Sequence, residues 1–313
     1  MKYTLKQLLY IDVAARHGSI ARASQELHIS PSSISAAIDA VEQDTSRALF
    51  ERLPSKGITP TRYGLTFLGH ARDLLRASLE FEKALSDQSQ QIGGSIRMGC
   101  FTPAAPILLP IVAKSIADNF PDIVIEFSEG DTPQIYESLI NSEFDVAFAY
   151  QTIPPRPNVE FIPLFNAPPH IVLPSDHALA KSASLSLADV YQEPMILLDL
   201  DHTRDYMFGL FGKDGLTPKI AYSSKSAEMV RSMVAAGLGY SIFNLRPLKK
   251  QQYMVGDLVR IPIANTYQSV DFGIMYRTDS RVSAVDQVMI DTCLELLRKG
   301  AFDGAVVQST SVI

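Results

Sequence analysis

Between Ser19 and Val41 the chain writes two short helices around a turn too brief for anything but a tight helical corner. Ser19 can cap a helix whose inner face is Ile20, Ala23 and Leu27. After His28-Ile29, Ser30-Pro31 supplies a second cap, followed by proline at the first helical position. Ile34, Ile38 and Val41 then recur at spacings of four and three. Ahead of this pair, Leu5, Leu8, Leu9 and Val13 mark an amphipathic helix over residues 4–16, closed by His17-Gly18. This is helix-turn-helix grammar, and the major groove of DNA admits one such helix with its N-terminal part facing base edges.

On the third helix the face away from the apolar stripe offers Ser32, Ser33, Ser35, Ala36 and Asp39, with Ser30 at its start. Hydroxyls there can bond phosphates or bases, and an alanine can touch a thymine methyl. After Phe50 the stretch RLPSKGITPT reads as a short β-wing that brings Arg52 and Lys56 to the DNA backbone. The competing reading of the same pattern is a small helical bundle with a solvated serine face.

Residues 61–89 hold no proline, and Phe67, Ala71, Leu74, Ser78, Phe81 and Leu85 step along them at heptad spacing. With Leu68, Leu75 and Leu79 the stripe is wider than a lone helix should expose, so either a partner helix or the chain's own body covers it. Gln90 to Gly94 reads as a hinge, after which strands and helices alternate. Strands are expected over 95–99, 123–127, 145–150, 170–173, 195–198, 219–222, 240–243 and 270–276. Helices are expected over 104–119, 132–142, 203–212, 226–236 and 282–299, giving an α/β body with a largely parallel sheet and length for two lobes.

The net charge of −6 excludes an all-over nucleic-acid coat, but residues 1–70 carry eight basic against six acidic side chains, leaving the remainder acidic. No basic leader precedes an apolar stretch and no run is long enough to span a membrane, so a cytoplasmic protein is expected. Cys100 and Cys293 lack metal-ligand spacing, which fits a reducing compartment. The sequence holds no nucleophile elbow, phosphate loop, zinc motif or dinucleotide fingerprint; neither enzymatic activity nor a cofactor or metal is expected.

GSIARASQELHISPSSISAAIDAVE at 18–42, LFER at 49–52 and ITPTRYG at 58–64 resemble the head of a LysR-type transcriptional regulator. Two departures stand out. Ala36 and Ala37 occupy places where a large basic or amide side chain is common, and Asp39 one where a positive residue is frequent. The family's Leu-Gly after the helix is replaced by Thr45-Ser46.

The resemblance continues through LLPIVAKSIADNFPDIVIEFSEG, FDVAFAY and VRSMVAAGLGYSIFN. It implies an all-α winged helix-turn-helix head (1–58) and a linker helix (59–90) that pairs with its copy. The rest (91–313) is expected to be an effector-binding domain with the two-lobed α/β fold of periplasmic binding proteins. Lobe I would comprise 91–164 and 268–313, and lobe II 165–267, with crossings near 164–167 and 264–269.

The expected partners are double-stranded DNA bearing an inverted repeat, a small-molecule effector, RNA polymerase, and further copies as a homodimer or homotetramer. The alternative is a cytoplasmic small-molecule binder with no DNA role, to which the N-terminal head is opposed. Ligands in such sheets lie beyond strand C-termini, where helix starts offer unpaired N–H groups. Phe101 and Thr102 follow the first strand, Thr132 the second, and Asp201, His202 and Thr203 come from the other lobe, with Phe243 from a further strand end. Thr102 is expected to cap the following helix and, with its amides, to suit a carboxylate; Cys100 is expected at the mouth.

Overall fold

The computed structural model describes residues 2–53, 57–85, 92–151, 157–249, 254–264, 269–279 and 282–307. It divides into two compact units, residues 1–92 with 137–145, and residues 93–136 with 146–313.

In the first unit α1 (Leu5–His17) starts from a capping box between Thr4 and Gln7 and stops at Gly18, in the left-handed region. Ser19 caps α2 (Ile20–Glu26), and Ser30 caps α3 (Pro31–Thr45). Ile11, Val13, Ala23, Ile34, Ile38 and Val41 meet in one core with Leu49 and Ile58, as the helical spacing requires. The wing is β1 (Phe50–Leu53) paired antiparallel with β2 (Gly57–Pro60); the head is therefore not all helical. Glu42 of α3 accepts from the amides of Leu49 and Phe50, tying the helix to the wing's first strand. Gly57 lies so near the end of α1 that a Cβ would fall 2.1 Å from the Gly18 carbonyl oxygen, so a side chain is excluded. Where the family favours glycine, Ser46 takes the left-handed cap of α3 at φ 52°.

Helix α4 (Arg62–Leu85) has two characters. Tyr63, Phe67 and Leu68 pack into the head's core, and Ala71 is buried beside them. Arg72 is also buried, its Nε donating to Asp12 of α1 at 2.6 Å. From Leu74 onward the apolar stripe faces solvent, and exposure climbs to 71% at Leu85. The heptad stripe is thus divided: its first turns belong to this chain's head, and only Leu74, Leu79, Phe81 and Leu85 are left without cover. Residues 86–89 of the expected helix, and Gln90 and Gln91 of the hinge, lie outside the described residues.

The second unit has two lobes. In the first, β3 (Gly94–Phe101) lies parallel between β4 (Ile123–Gly130) and β5 (Val146–Tyr150). β12 (Val270–Arg277) runs antiparallel between β5 and β6 (Val159–Ala167), completing five strands. Helices α5 (Ala105–Asn119) and α9 (Ala284–Arg298) pack on this sheet, and α6 (Thr132–Ile140) follows β4.

The second lobe joins β10 (Ser241–Phe243), β7 (His170–Pro174) and β11 (Leu258–Pro262) antiparallel, beside a parallel pair of β8 (Pro194–Leu198) and β9 (Lys219–Ser224). Tyr240 splices the two: its amide donates to the Pro194 carbonyl, and its carbonyl accepts from the Ile196 amide. Around α7 (Asp201–Gly212) the lobe's core gathers Ile171, Met195, Leu210, Phe211 and Tyr240. α8 (Ala227–Ala235) also packs on this lobe's strands.

The body is less parallel than the pattern implied. β6 and β12, the strands that leave and re-enter the first lobe, pair antiparallel with each other. Residues 164–167 are the end of β6 rather than a crossing, so the chain passes between lobes at Pro168-Pro169. The return runs between β11 and β12, where 265–268 lie outside the described residues.

Candidate DNA interface and effector cleft

The N-terminal part of α3 presents Ser32, Ser33 and Ala36 to solvent, with Ser35 half-buried. The Ser30 hydroxyl accepts from the Ser33 amide and shares hydrogen bonds with the hydroxyls of Ser32, at 2.7 Å, and Ser33, at 2.9 Å. These three hydroxyls form a preorganised polar cluster at the helix start, and hydroxyls can donate to phosphate or base acceptors. Arg52 of β1 does not extend freely: its guanidinium donates to Asp39 of α3 at 3.1 Å. The acidic departure on the recognition helix thus holds the wing's arginine against it. Lys56 lies outside the described residues.

A cleft opens in the second unit between its lobes. The first lobe lines it with Phe101, Pro103, Thr132, Tyr150 and Val270; the second adds Leu198, His202, Thr203, Tyr206, Met207 and Arg231, with Ile242 to Leu245 along one wall. Phe101, Thr132, His202, Thr203 and Phe243 were expected there from the sequence. The free space is about 30 Å³, room for roughly two waters, so the described conformation is closed down.

Thr102 does not line the cleft. Its amide and hydroxyl both donate to the Gly130 carbonyl, stitching β3 to β4, and α5 begins after Ala104 with no side-chain cap. Asp201 is the first helical residue of α7, exposed and also outside the lining. Asp199 is engaged by Arg204 Nε at 2.7 Å. Cys100 is fully buried in β3, away from any mouth, because this end of an interior strand is covered on both faces; burial and nearby Glu129 push its thiol far above the ordinary range.

Tyr150, Tyr206 and Arg231 are lining residues that sequence reasoning missed. Arg231 had a legible signal: it sits at an inner position of α8 with Ala227, Val230 and Val234, where an apolar residue is the rule. Its side chain is 3% exposed. It donates to Glu228 at 2.8 Å and to the Leu245 carbonyl, and its guanidinium lies 4.4 Å from the centroid of the Phe243 ring. Asn244 donates to the Ala167 carbonyl at 2.8 Å, beside the crossing, and to the Tyr206 hydroxyl at 3.0 Å. Burial raises the Tyr206 phenol to about 12 and holds that of Tyr150 well above its ordinary value. No group of metal-binding side chains occurs among the described residues.

One unit shaped to read DNA and another folded around a small cleft make a protein whose contact with the genome depends on a bound molecule. That is the architecture of LysR-type regulators, and the chain belongs to this family. Residues 5–65 match the bacterial regulatory helix-turn-helix protein, lysR family, and residues 89–298 match the LysR substrate binding domain. The chain is a ligand-responsive, DNA-binding transcriptional regulator with an effector-binding domain, and regulators of this kind are oligomeric.

It is similar to HinK, a LysR family regulator of Pseudomonas aeruginosa, at 33% identity and a TM-score of 0.61 over 94% of this chain and 99% of that one. Full-length OxyR of the same organism, in variant form, shares the fold with a TM-score of 0.75 at 22% identity, covering 93% of this chain and 97% of that one. The DNA-binding transcriptional dual regulator OxyR of Escherichia coli K12 is 25% identical over 88% of this chain and 90% of its own length. No described helix is long and apolar enough to cross a membrane.

Proposed function

We propose that the cleft lined by Phe101, Thr132, His202, Thr203 and Phe243 is the effector site, and that its occupancy sets the spacing of paired heads on an inverted repeat. The observation that carries this is the lining itself: ends of β3, β5, β8 and β10 and the starts of α6 and α7 converge on one narrow cleft. A ligand can shift the regulator only through unequal affinity for two lobe arrangements, and a space of about 30 Å³ must widen to admit one. The uncovered stripe of α4 supports pairing of two chains through that helix, because large apolar side chains there need a partner.

In the head, Ser30, Ser32, Ser33, Ser35, Ala36 and Arg52 are the proposed DNA contacts, with Lys56 added from the sequence. A relative named hydrogen peroxide-inducible genes activator, from Pectobacterium carotovorum, 24% identical over 93% of this chain, raises a second reading, thiol oxidation. Against it stand two cysteines that are both buried, with thiols raised by burial, since the thiolate is the reactive form.

The test is DNA-binding anisotropy on the regulator's own upstream region with and without a metabolite panel, for the wild type and Phe243→Leu. A ligand response lost in the variant, with ligand-free DNA affinity kept, is expected. A response of unchanged size in Phe243→Leu refutes the cleft.

A further inference from the structure

Where the chain passes between the lobes, the second unit holds another and roomier hollow. The turn that ends α9 builds much of it. Gly300 takes the left-handed position after the helix at φ 71°, and the Gly300 and Ala301 amides donate back to the Leu297 and Leu296 carbonyls. That closure turns the chain off the helix and leaves Phe302 buried, its ring centroid 6.2 Å from that of Phe165 in β6. Phe165 in turn stacks on Phe272 of β12 at 5.5 Å. Beyond Phe302 the segment is tied to the second lobe. The Arg246 amide donates to the Ala305 carbonyl at 2.9 Å, and its Nε to the Gly304 carbonyl at 2.7 Å.

Leu297, Phe302, Asp303 and Val306 line the hollow from this C-terminal segment. Phe165, Asn166 and Pro168 line it from β6 and the crossing. Its free volume is about 320 Å³, against about 30 Å³ in the cleft. Pockets that hold small molecules run from roughly 300 to 1,000 Å³.

The open polar groups of this hollow are acceptors. The Asp303 carboxylate is exposed and has no hydrogen bond or ion pair with a described residue. Asn166 spends its amide nitrogen on Asp271 at 2.9 Å, which leaves its carbonyl oxygen open. Leu297 brings in the C-terminal end of α9, where the helix dipole is negative. Among the described residues no lysine, arginine or histidine lines the space. The basic neighbours are engaged: Arg298 with the Leu294 carbonyl, Lys299 with Glu295, and Arg246 with Gly304. An anion would meet a carboxylate with no cation beside it, and a neutral molecule would leave that carboxylate unanswered.

We infer that this hollow is a second small-molecule site and that it takes a primary amine on a short apolar body. The ammonium meets Asp303 and the Asn166 carbonyl oxygen, and the body lies on Phe165, Leu297 and Phe302. The site shares no lining residue with the cleft, so it stands whether or not the cleft holds the effector.

The experiment titrates the full-length protein with phenethylamine, phenethyl alcohol and hydrocinnamate, each to millimolar concentration at neutral pH, by ligand-observed NMR. The amine, protonated at that pH, is expected to bind at least about threefold more tightly than the alcohol or the acid. Asp303→Asn should weaken the amine about threefold, the scale of an exposed ion pair, and added salt should weaken it in the wild type. Leu297→Trp, which fills the hollow from a half-buried helix position, should abolish binding. Phe243→Leu, in the cleft, should leave it unchanged.

The inference falls if the alcohol or the acid binds as tightly as the amine, or if none of the three binds. It falls as well if Asp303→Asn has no effect. Weakening of the amine by Phe243→Leu would put the probe in the cleft instead and overturn the second site while leaving the first. Binding only to a chain shortened to end at Val307 would make residues 308–313 the occupant, and the amine site would be refuted.

Discussion

Tyr240 carries a hydroxyl that the fold has buried without a partner, and removing it should make the protein more stable. The side chain is fully buried in the second lobe's core, and its oxygen has no hydrogen-bond partner among the described residues. The ring has no freedom to seek one, because the backbone on both sides is locked between Pro194 and Ile196. A buried unsatisfied hydroxyl costs roughly 1–3 kcal/mol.

Tyr240→Phe removes that cost and leaves a void smaller than the roughly 30 Å³ share of a liquid water, worth at most about 0.7 kcal/mol at ~24 cal/mol per Å³. The balance is a gain of about 1 kcal/mol, or a rise in Tm of about 2–4 °C for a unit of this size. Differential scanning calorimetry of wild type and variant, following the transition of the effector domain, measures it. A fall of 1 kcal/mol or more would refute the reasoning, since the hydroxyl would then have to be donating to something.

His170, buried between Phe243 and Pro262 and facing the charges of Arg260, Arg231 and Arg246, is held neutral, its pKa lowered to about 3. The unfolded chain takes up a proton near pH 6.5 and the folded one does not, so stability present above that pH is lost as pH falls. Between pH 7.5 and 5.5 the loss from this group is about 1.4 kcal/mol. Urea titrations of His170→Leu should show a pH dependence shallower by that amount, and parallel curves would contradict it. Ser46→Gly should stabilise the head by about 0.5–1 kcal/mol, read by chemical denaturation, because glycine takes the left-handed cap without a Cβ penalty. Arg52→Ala should weaken binding to all DNA sequences and reduce the salt slope by about one contact, whereas Asp39→Asn should strengthen it by releasing Arg52. A change confined to one operator sequence, in either variant, would count against this.

The head was legible because its signals are local. Ser19 and Ser30 cap the helices their positions announce, and Ile34, Ile38 and Val41 lie in the core at the spacings that predict it. The body was legible in part. β6 escaped notice because Pro163 interrupts its pattern; an edge strand tolerates proline, and there it opposes Gly273 beside a bulge. At Gly273 any Cβ would meet the Ile162 carbonyl at 2.2 Å.

Five of the seven expected cleft residues line the space, since they follow strand ends whatever the details of the loops. Thr102 misled because a threonine before a helix can equally bond sideways to a neighbouring strand, and only tertiary pairing decides which acceptor it meets. The commitment of Arg231 to Glu228 and Leu245 is likewise a matter of distant segments meeting.

Helix α4 is wall at one end and handle at the other. With Leu68, Ala71 and Arg72 fixed in the head, no joint separates the DNA-reading surface from the stripe that begins at Leu74. Under the proposed pairing through α4, angular phase along one helix is therefore the setting that fixes how the recognition surface points. One residue inserted between Arg72 and Leu74 would turn the stripe by about 100° relative to the head and lengthen the helix by only ~1.5 Å. Both units could fold, and two chains could still pair, with the recognition helices facing away from the grooves they are meant to enter.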